Sequence, residues 1–197
     1  KEYFGETCFK FSIEQAISAG CLTPYNYQVI PLELSIEEME DWITLSEEIG
    51  RLSFMMDDIK GNSLVGSKLR ERAAILSNAL GKVGALRRHL QERGDLSNLK
   101  HTLIYTSDKS PQQTTDVISM LQDQLHLKTH RFTQEETAKP KVATDLISRF
   151  SDGDNLQVLV AKRCLDEGVD IPHTRIAYIL ASTTNPRQYI QRRGRVL

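Results

Sequence analysis

Gln157-Val158-Leu159-Val160-Ala161 is apolar along almost its whole length, with no polar residue at alternate positions. A strand with one wet face alternates. An unbroken run is what a strand needs when helices cover it on both faces. Residues 175–181 repeat the texture with Ile176, Tyr178, Ile179 and Leu180, residues 101–106 carry Leu103, Ile104 and Tyr105, and residues 128–132 end on Phe132. Helical patterns separate these runs. Ser110-Pro111 opens a helix with Val117, Ile118, Leu121 and Leu125 on one face. Thr133 and Glu136 form a capping box before a helix predicted to reach Phe150, and Pro186 opens a last helix. Four such alternations predict an α/β fold, a doubly wound and mainly parallel sheet with helices on both faces.

The chain ahead of this region reads differently. Ser12 with Gln15, and Ser35 with Glu38, are two further capping boxes, the first opening a short helix stopped by Gly20. Between them, residues 27–34 place Ile30, Leu32 and Leu34 on one face, and Pro31 assigns this stretch to an edge strand. Met39, Trp42, Ile43, Ile49 and Leu52 recur at helical spacing and are read as core. Residues 57–67 are predicted to form a loop, followed by helices over about 68–79 and 83–93, the second closed by Gly94.

Of the 197 residues, 40% are hydrophobic and 26% charged, the balance of a globular protein. No stretch approaches the roughly 20 apolar residues of a membrane span, and the N-terminus lacks a signal core. Three scattered cysteines without Cys-x-x-Cys spacing argue against a disulfide framework or a zinc site, and no histidine pair has ligand spacing. The expectation is a cytoplasmic protein without a membrane partner and without a metal site of its own. The absence of an initiating methionine leads us to expect a piece of a longer chain. The net charge of −1 conceals −8 over residues 1–60 and +7 over the rest. From Ile171 onward there are five arginines and no lysine or acid, a bias that favours bidentate recognition of phosphate or carboxylate.

In parallel α/β sheets ligands collect beyond the carboxyl ends of the strands. Two segments at such ends carry the strongest signal. Val158-Leu159-Val160-Ala161-Lys162-Arg163-Cys164-Leu165-Asp166-Glu167-Gly168-Val169-Asp170-Ile171-Pro172 resembles motif V of superfamily 2 helicases and translocases, and Gln188-Tyr189-Ile190-Gln191-Arg192-Arg193-Gly194-Arg195-Val196-Leu197 resembles their motif VI. Residues 101–108 are similar to motif IV and residues 132–136 to motif IVa. Tyr3-Phe4-Gly5, the helix after Ser12, and Pro24-Tyr25 resemble the junction between the two RecA-like domains of XPB-type DNA helicases and restriction-enzyme motor subunits. Lys82 ahead of Leu86 resembles the helix leading into motif IV.

The resemblance implies a RecA-like fold and a division of the chain into a junction (1–26), an edge strand with a helical connector (27–95), and a second RecA-like domain (96–197). It implies a motor lobe that contributes to ATP hydrolysis. Arg195 is then the arginine finger, with Gln191 one helical turn before it on the same face. Gly168, Asp170 and Arg192 are the nucleotide-binding candidates, the glycine allowing the tight turn and Asp170 accepting a hydrogen bond from the ribose. Thr106, Ser107, Thr133, Lys162 and Arg163 are the nucleic-acid candidates, fixing a backbone without reading its sequence.

Gly-x-x-x-x-Gly-Lys-Ser/Thr is absent, as is a strand-end Asp-Glu-x-His or Asp-Glu-Ala-Asp carboxylate box. ATP and Mg²⁺ are therefore expected to be held mainly by an N-terminal RecA-like partner domain, leaving this chain inactive as an ATPase alone. DNA is the expected track, RNA the alternative, and a nuclease or other subunits could accompany the motor. The rival readings are a non-catalytic nucleic-acid or protein-binding module that retains the RecA-like fold, and an unrelated nucleotide-binding α/β domain.

Overall fold

The computed structural model describes residues 11–54, 63–107, 110–162, 171 and 173–181. Four parallel strands, β1 (Thr102–Tyr105), β2 (Thr129–Phe132), β3 (Val158–Ala161) and β4 (Ile176–Ile179), form one sheet in the order β2-β3-β1-β4. Period-two alternation splits their side chains between two cores. Ile104, Val158 and Val160 pack with Val117, Met120 and Leu121 on one face. Leu103, Tyr105, Leu159 and Ala161 pack with Leu146 and Phe150 on the other. Both β1 and β3 are buried throughout, as their unbroken apolar runs require.

The first core is covered by α4 (Gly81–Glu92), through Leu86 and Leu90, and by α5 (Pro111–Ser119), which continues into a π-helical turn over Met120–Gln124. The second is covered by α7 (Pro140–Asp152), preceded by the single turn α6 (Gln134–Thr137). The continuous helix predicted from Thr133 to Phe150 is thus two helices. Lys139 is extended and Pro140 takes the first position of α7, since the residue before a proline is disfavoured in the helical region. Gly153 closes α7 at φ 75°, and a Cβ there would lie 3.0 Å from the His101 imidazole. The site combines a left-handed turn with close packing, so glycine fits it best.

Ahead of the sheet lie α1 (Ile13–Ser18), α2 (Ile36–Phe54) and α3 (Ser63–Asn78). The Ser12–Gln15 and Ser35–Glu38 capping boxes both form, each as a reciprocal side-chain to backbone pair. Helices α2 and α3 are joined by the Lys68–Glu48 ion pair at 3.0 Å, and the Arg72 guanidinium lies 5.4 Å from the Trp42 ring centroid. Three expectations change here. Helix α3 starts at Ser63 rather than near residue 68, because Val65 is fully buried and anchors an extra first turn. Residues 27–34 pair with no strand among the described residues; Tyr27 and Val29 are exposed, and Pro31 has no N–H to donate. Met39 and Ile43 are 43% and 46% exposed rather than core, because α3 covers only the stripe of α2 that carries Trp42 and Ile49. Among the described residues no helix is long and apolar enough to cross a membrane.

Candidate functional site

Strand register sets the geometry of the site. Tyr105 is paired with Ala161 and with Ile179, and Phe132 with Ala161, so the four strands end level with one another. The next residues, Thr133, Lys162, Thr106 and Leu180, therefore lie in one row along the carboxyl edge, in that order across the sheet. Thr106 and Leu180 continue the ladder by one bond each, the Thr106 amide donating to Ala161 O at 2.9 Å and the Leu180 amide to Tyr105 O at 2.9 Å.

Thr106 is 1% exposed. Its hydroxyl lies 2.8 Å from that of Thr114 and 3.3 Å from Ala161 O, locking the end of β1 to α5 and to β3. Ser107 is also buried, and its amide donates to Gln113 Oε1 at 2.8 Å. The Ser110 hydroxyl caps α5 by accepting from the Gln113 amide, and Pro111 needs no N–H at that position. Gln113 also donates through Nε2 to Ser77 O at 3.2 Å, at the end of α3. The loop after β1 is thereby folded onto the first turn of α5 and tied to the connector. Gln113 had no signal in the sequence beyond its place in a helix.

Thr133 sits at the far end of the row. Its amide and hydroxyl both donate to Glu136 Oε2, at 2.8 and 2.6 Å, while Arg131 Nε donates to Glu136 Oε1 at 2.8 Å. Burial pushes the Glu136 carboxyl up, but the Thr133 hydroxyl and amide and the Arg131 guanidinium outweigh it and leave it below the usual glutamate value. A depressed carboxyl stabilises the folded state above its unfolded pKa, and that contribution disappears as pH falls through the folded pKa. Glu136→Gln is expected to cost about 1.5–3 kcal/mol at neutral pH, the range for hydrogen bonds to a charged group. Urea denaturation of the two proteins at neutral and acidic pH checks this: the gap must narrow under acid.

Lys162, half-buried, is the last described residue after β3. Arg163, Gly168, Asp170, Gln191, Arg192 and Arg195 lie outside the described residues. The chain re-enters the second core at Ile171, whose carbonyl accepts from the Thr174 hydroxyl at 3.1 Å. The structure thus brings four expected residues, Thr106, Ser107, Thr133 and Lys162, to one edge. Two of them are buried with their polar groups engaged inside the chain. Among the described residues no three His, Cys, Asp or Glu side chains are grouped to hold a metal ion.

Lys82, in the first turn of α4, also reaches this edge. Its ammonium donates to Ser77 O at 3.1 Å and to Leu180 O, the terminal carbonyl of the β4 ladder.

Residues 81–197 match the helicase conserved C-terminal domain. The chain belongs to that family. It is a superfamily 2 helicase C-terminal domain, the second RecA-like domain, and its parallel sheet with helices on both faces has the corresponding fold. The matched region begins at Gly81, the first residue of α4, which among the described residues is the first helix to enter the sheet's core. Over 53 residues the chain is 38% identical to a DNA 3'-5' translocase XPB2 of Sulfurisphaera tokodaii, a match covering 27% of this chain and 12% of that protein. In structure it is similar to the C-terminal domain of a SWI2/SNF2 ATPase of Sulfolobus solfataricus. The TM-score is 0.56 at 16% identity, over 75% of this chain and 68% of that one.

Proposed function

We propose that this chain is the C-terminal motor lobe of an ATP-dependent DNA helicase or translocase, paired in the complete protein with a first RecA-like lobe. The observation that carries the reading is the level carboxyl edge. The motif V sequence starts in β3 and the motif VI region follows β4, and these strands flank β1 with their ends in register. Segments leaving the two strands on either side of β1 at one edge can face a common cleft. The relative that is 38% identical over 53 residues is a DNA translocase, which favours DNA over RNA as the track.

On this reading Arg195 is the arginine finger and Gln191 its neighbour on the motif VI helix, while Gly168, Asp170 and Arg192 meet the nucleotide. ATP supplies the phosphoryl group that is transferred, and Mg²⁺ is held with it mainly by the first lobe. Lys162 and Arg163 touch the nucleic-acid backbone. Thr106 and Ser107 act there by holding the loop after β1, given their burial, and Thr133 offers its hydroxyl oxygen beside the Glu136 cap. The net −8 of the first sixty residues disfavours contact of nucleic acid with that part of the chain.

The test is salt dependence. Binding of DNA by the complete protein falls as salt rises, with little regard to sequence, because phosphate contacts release counterions. Lys162→Ala is expected to flatten the slope of log affinity against log salt by about 0.7–0.9, the share of one phosphate contact. An unchanged slope with unchanged affinity would remove Lys162 from the track, and affinity confined to one base sequence would refute backbone tracking.

A further inference from the structure

A lysine in the first turn of a helix faces the positive end of the helix dipole, and Lys82 occupies such a place in α4. Its ammonium is also half-buried, and burial pushes its pKa down against the opposing pull of Glu38. Neither condition favours a cation, so whatever keeps it there lies in what it touches. It touches two carbonyls from distant parts of the chain. Ser77 O belongs to the last turn of α3, and Leu180 O closes β4, 98 residues along the sequence.

Leu180 is held from both sides. Its amide donates to Tyr105 O of the central strand, and its carbonyl accepts from Lys82. Ser77 O is shared in turn with Gln113 Nε2, while Gln113 Oε1 accepts the Ser107 amide at 2.8 Å. The connector, the loop after β1 and the end of β4 therefore meet through one lysine and one glutamine. Glu38 adds a further tie: one oxygen caps α2, and the other accepts the Leu80 amide at 2.8 Å, two residues before Lys82. Against the same turn, Leu32 packs so closely that a Cβ on Gly81 would lie 2.7 Å from its Cδ1. The start of α4 is thus fixed by two separate contacts before Lys82 reaches the sheet.

We infer that Lys82 is a positioning residue of the motor: it fixes the carbonyl from which the motif VI segment departs and couples that point to the helical connector. The inference rests on the reading of this chain as a motor lobe. Residue 180 precedes the expected finger Arg195 by fifteen residues, and a shift of its peptide moves the point from which that segment leaves the sheet. Displacement of a catalytic group by about 1 Å can cost 10²-fold in rate; a displacement passed on only in part over fifteen residues is expected to cost about 10-fold.

The experiment uses the complete two-lobe protein with Lys82→Met, which keeps the stem and removes the ammonium, and Lys82→Gln, which keeps a shorter neutral donor. Expected is a fall of about 10-fold in kcat for DNA-stimulated ATP hydrolysis, per folded molecule, with KM for ATP and DNA affinity within about 2-fold. A residue that only holds the fold together would lower the melting temperature and leave kcat per folded molecule unchanged, and that result overturns the inference. Should Lys82→Met fail to fold, the kcat of Lys82→Gln decides by the same criterion. Arg195→Ala measured alongside separates the two levels. If it abolishes turnover while the Lys82 variants do not change kcat, the positioning role alone is wrong; if it too leaves turnover intact, the motor-lobe reading has failed.

Discussion

Replacing Arg195 by alanine in the complete motor is expected to lower turnover by at least about 10² while leaving nucleotide affinity within a few-fold. Phosphoryl transfer develops negative charge on the transferred group and the leaving oxygen, and a preorganised guanidinium stabilises that charge more than it stabilises the ground state. Loss of such a group therefore appears in kcat. Gln191 precedes Arg195 by four residues, the spacing at which a helical segment puts two side chains on one face, so on the proposed reading both address one cleft. Single-turnover kinetics with a fluorescent nucleotide measures binding and chemistry separately. A drop in affinity as large as the drop in turnover would make Arg195 a ground-state binding residue and refute the finger assignment.

The larger effect is all-or-none. The 197-residue chain by itself is expected to show no DNA-stimulated ATP hydrolysis above a no-enzyme control. Its sequence has no glycine-rich phosphate loop ending in Lys-Ser or Lys-Thr and no strand-end carboxylate box. An arginine finger stabilises charge on a triphosphate that something else must hold, so a lobe without the cradle has nothing to act on. Adding the first lobe in trans is expected to restore turnover. Hydrolysis by the purified chain that survives a contamination check, and that Arg195→Ala abolishes, would show that the chain carries a complete site.

Elements whose signal is local were legible in the sequence. Three of the four strands were marked by their own apolar runs and β2, Thr-His-Arg-Phe, by its place between two helical patterns; the parallel arrangement followed from the helices between them. The caps at Ser12, Ser35 and Thr133 were legible because donor and acceptor lie three residues apart. The family, too, could be read from short segments, because the side chains of motifs V and VI are set by the chemistry they serve and stand in fixed order.

The tertiary structure decided what depends on contacts far apart in the chain. No local pattern gives the strand order β2-β3-β1-β4 or the register that levels the four carboxyl ends. Residues 27–34 have the alternation of a strand, yet a strand exists only where a partner supplies hydrogen bonds, and none does among the described residues. Met39 and Ile43 have helical spacing, but burial depends on what packs against that face. Thr106 and Ser107 occupy the expected edge, while their burial follows from Thr114 and Gln113 reaching back from α5. The bond from Lys82 to Leu180 spans 98 residues, a distance at which sequence proximity carries no information and only the folded chain brings donor to acceptor.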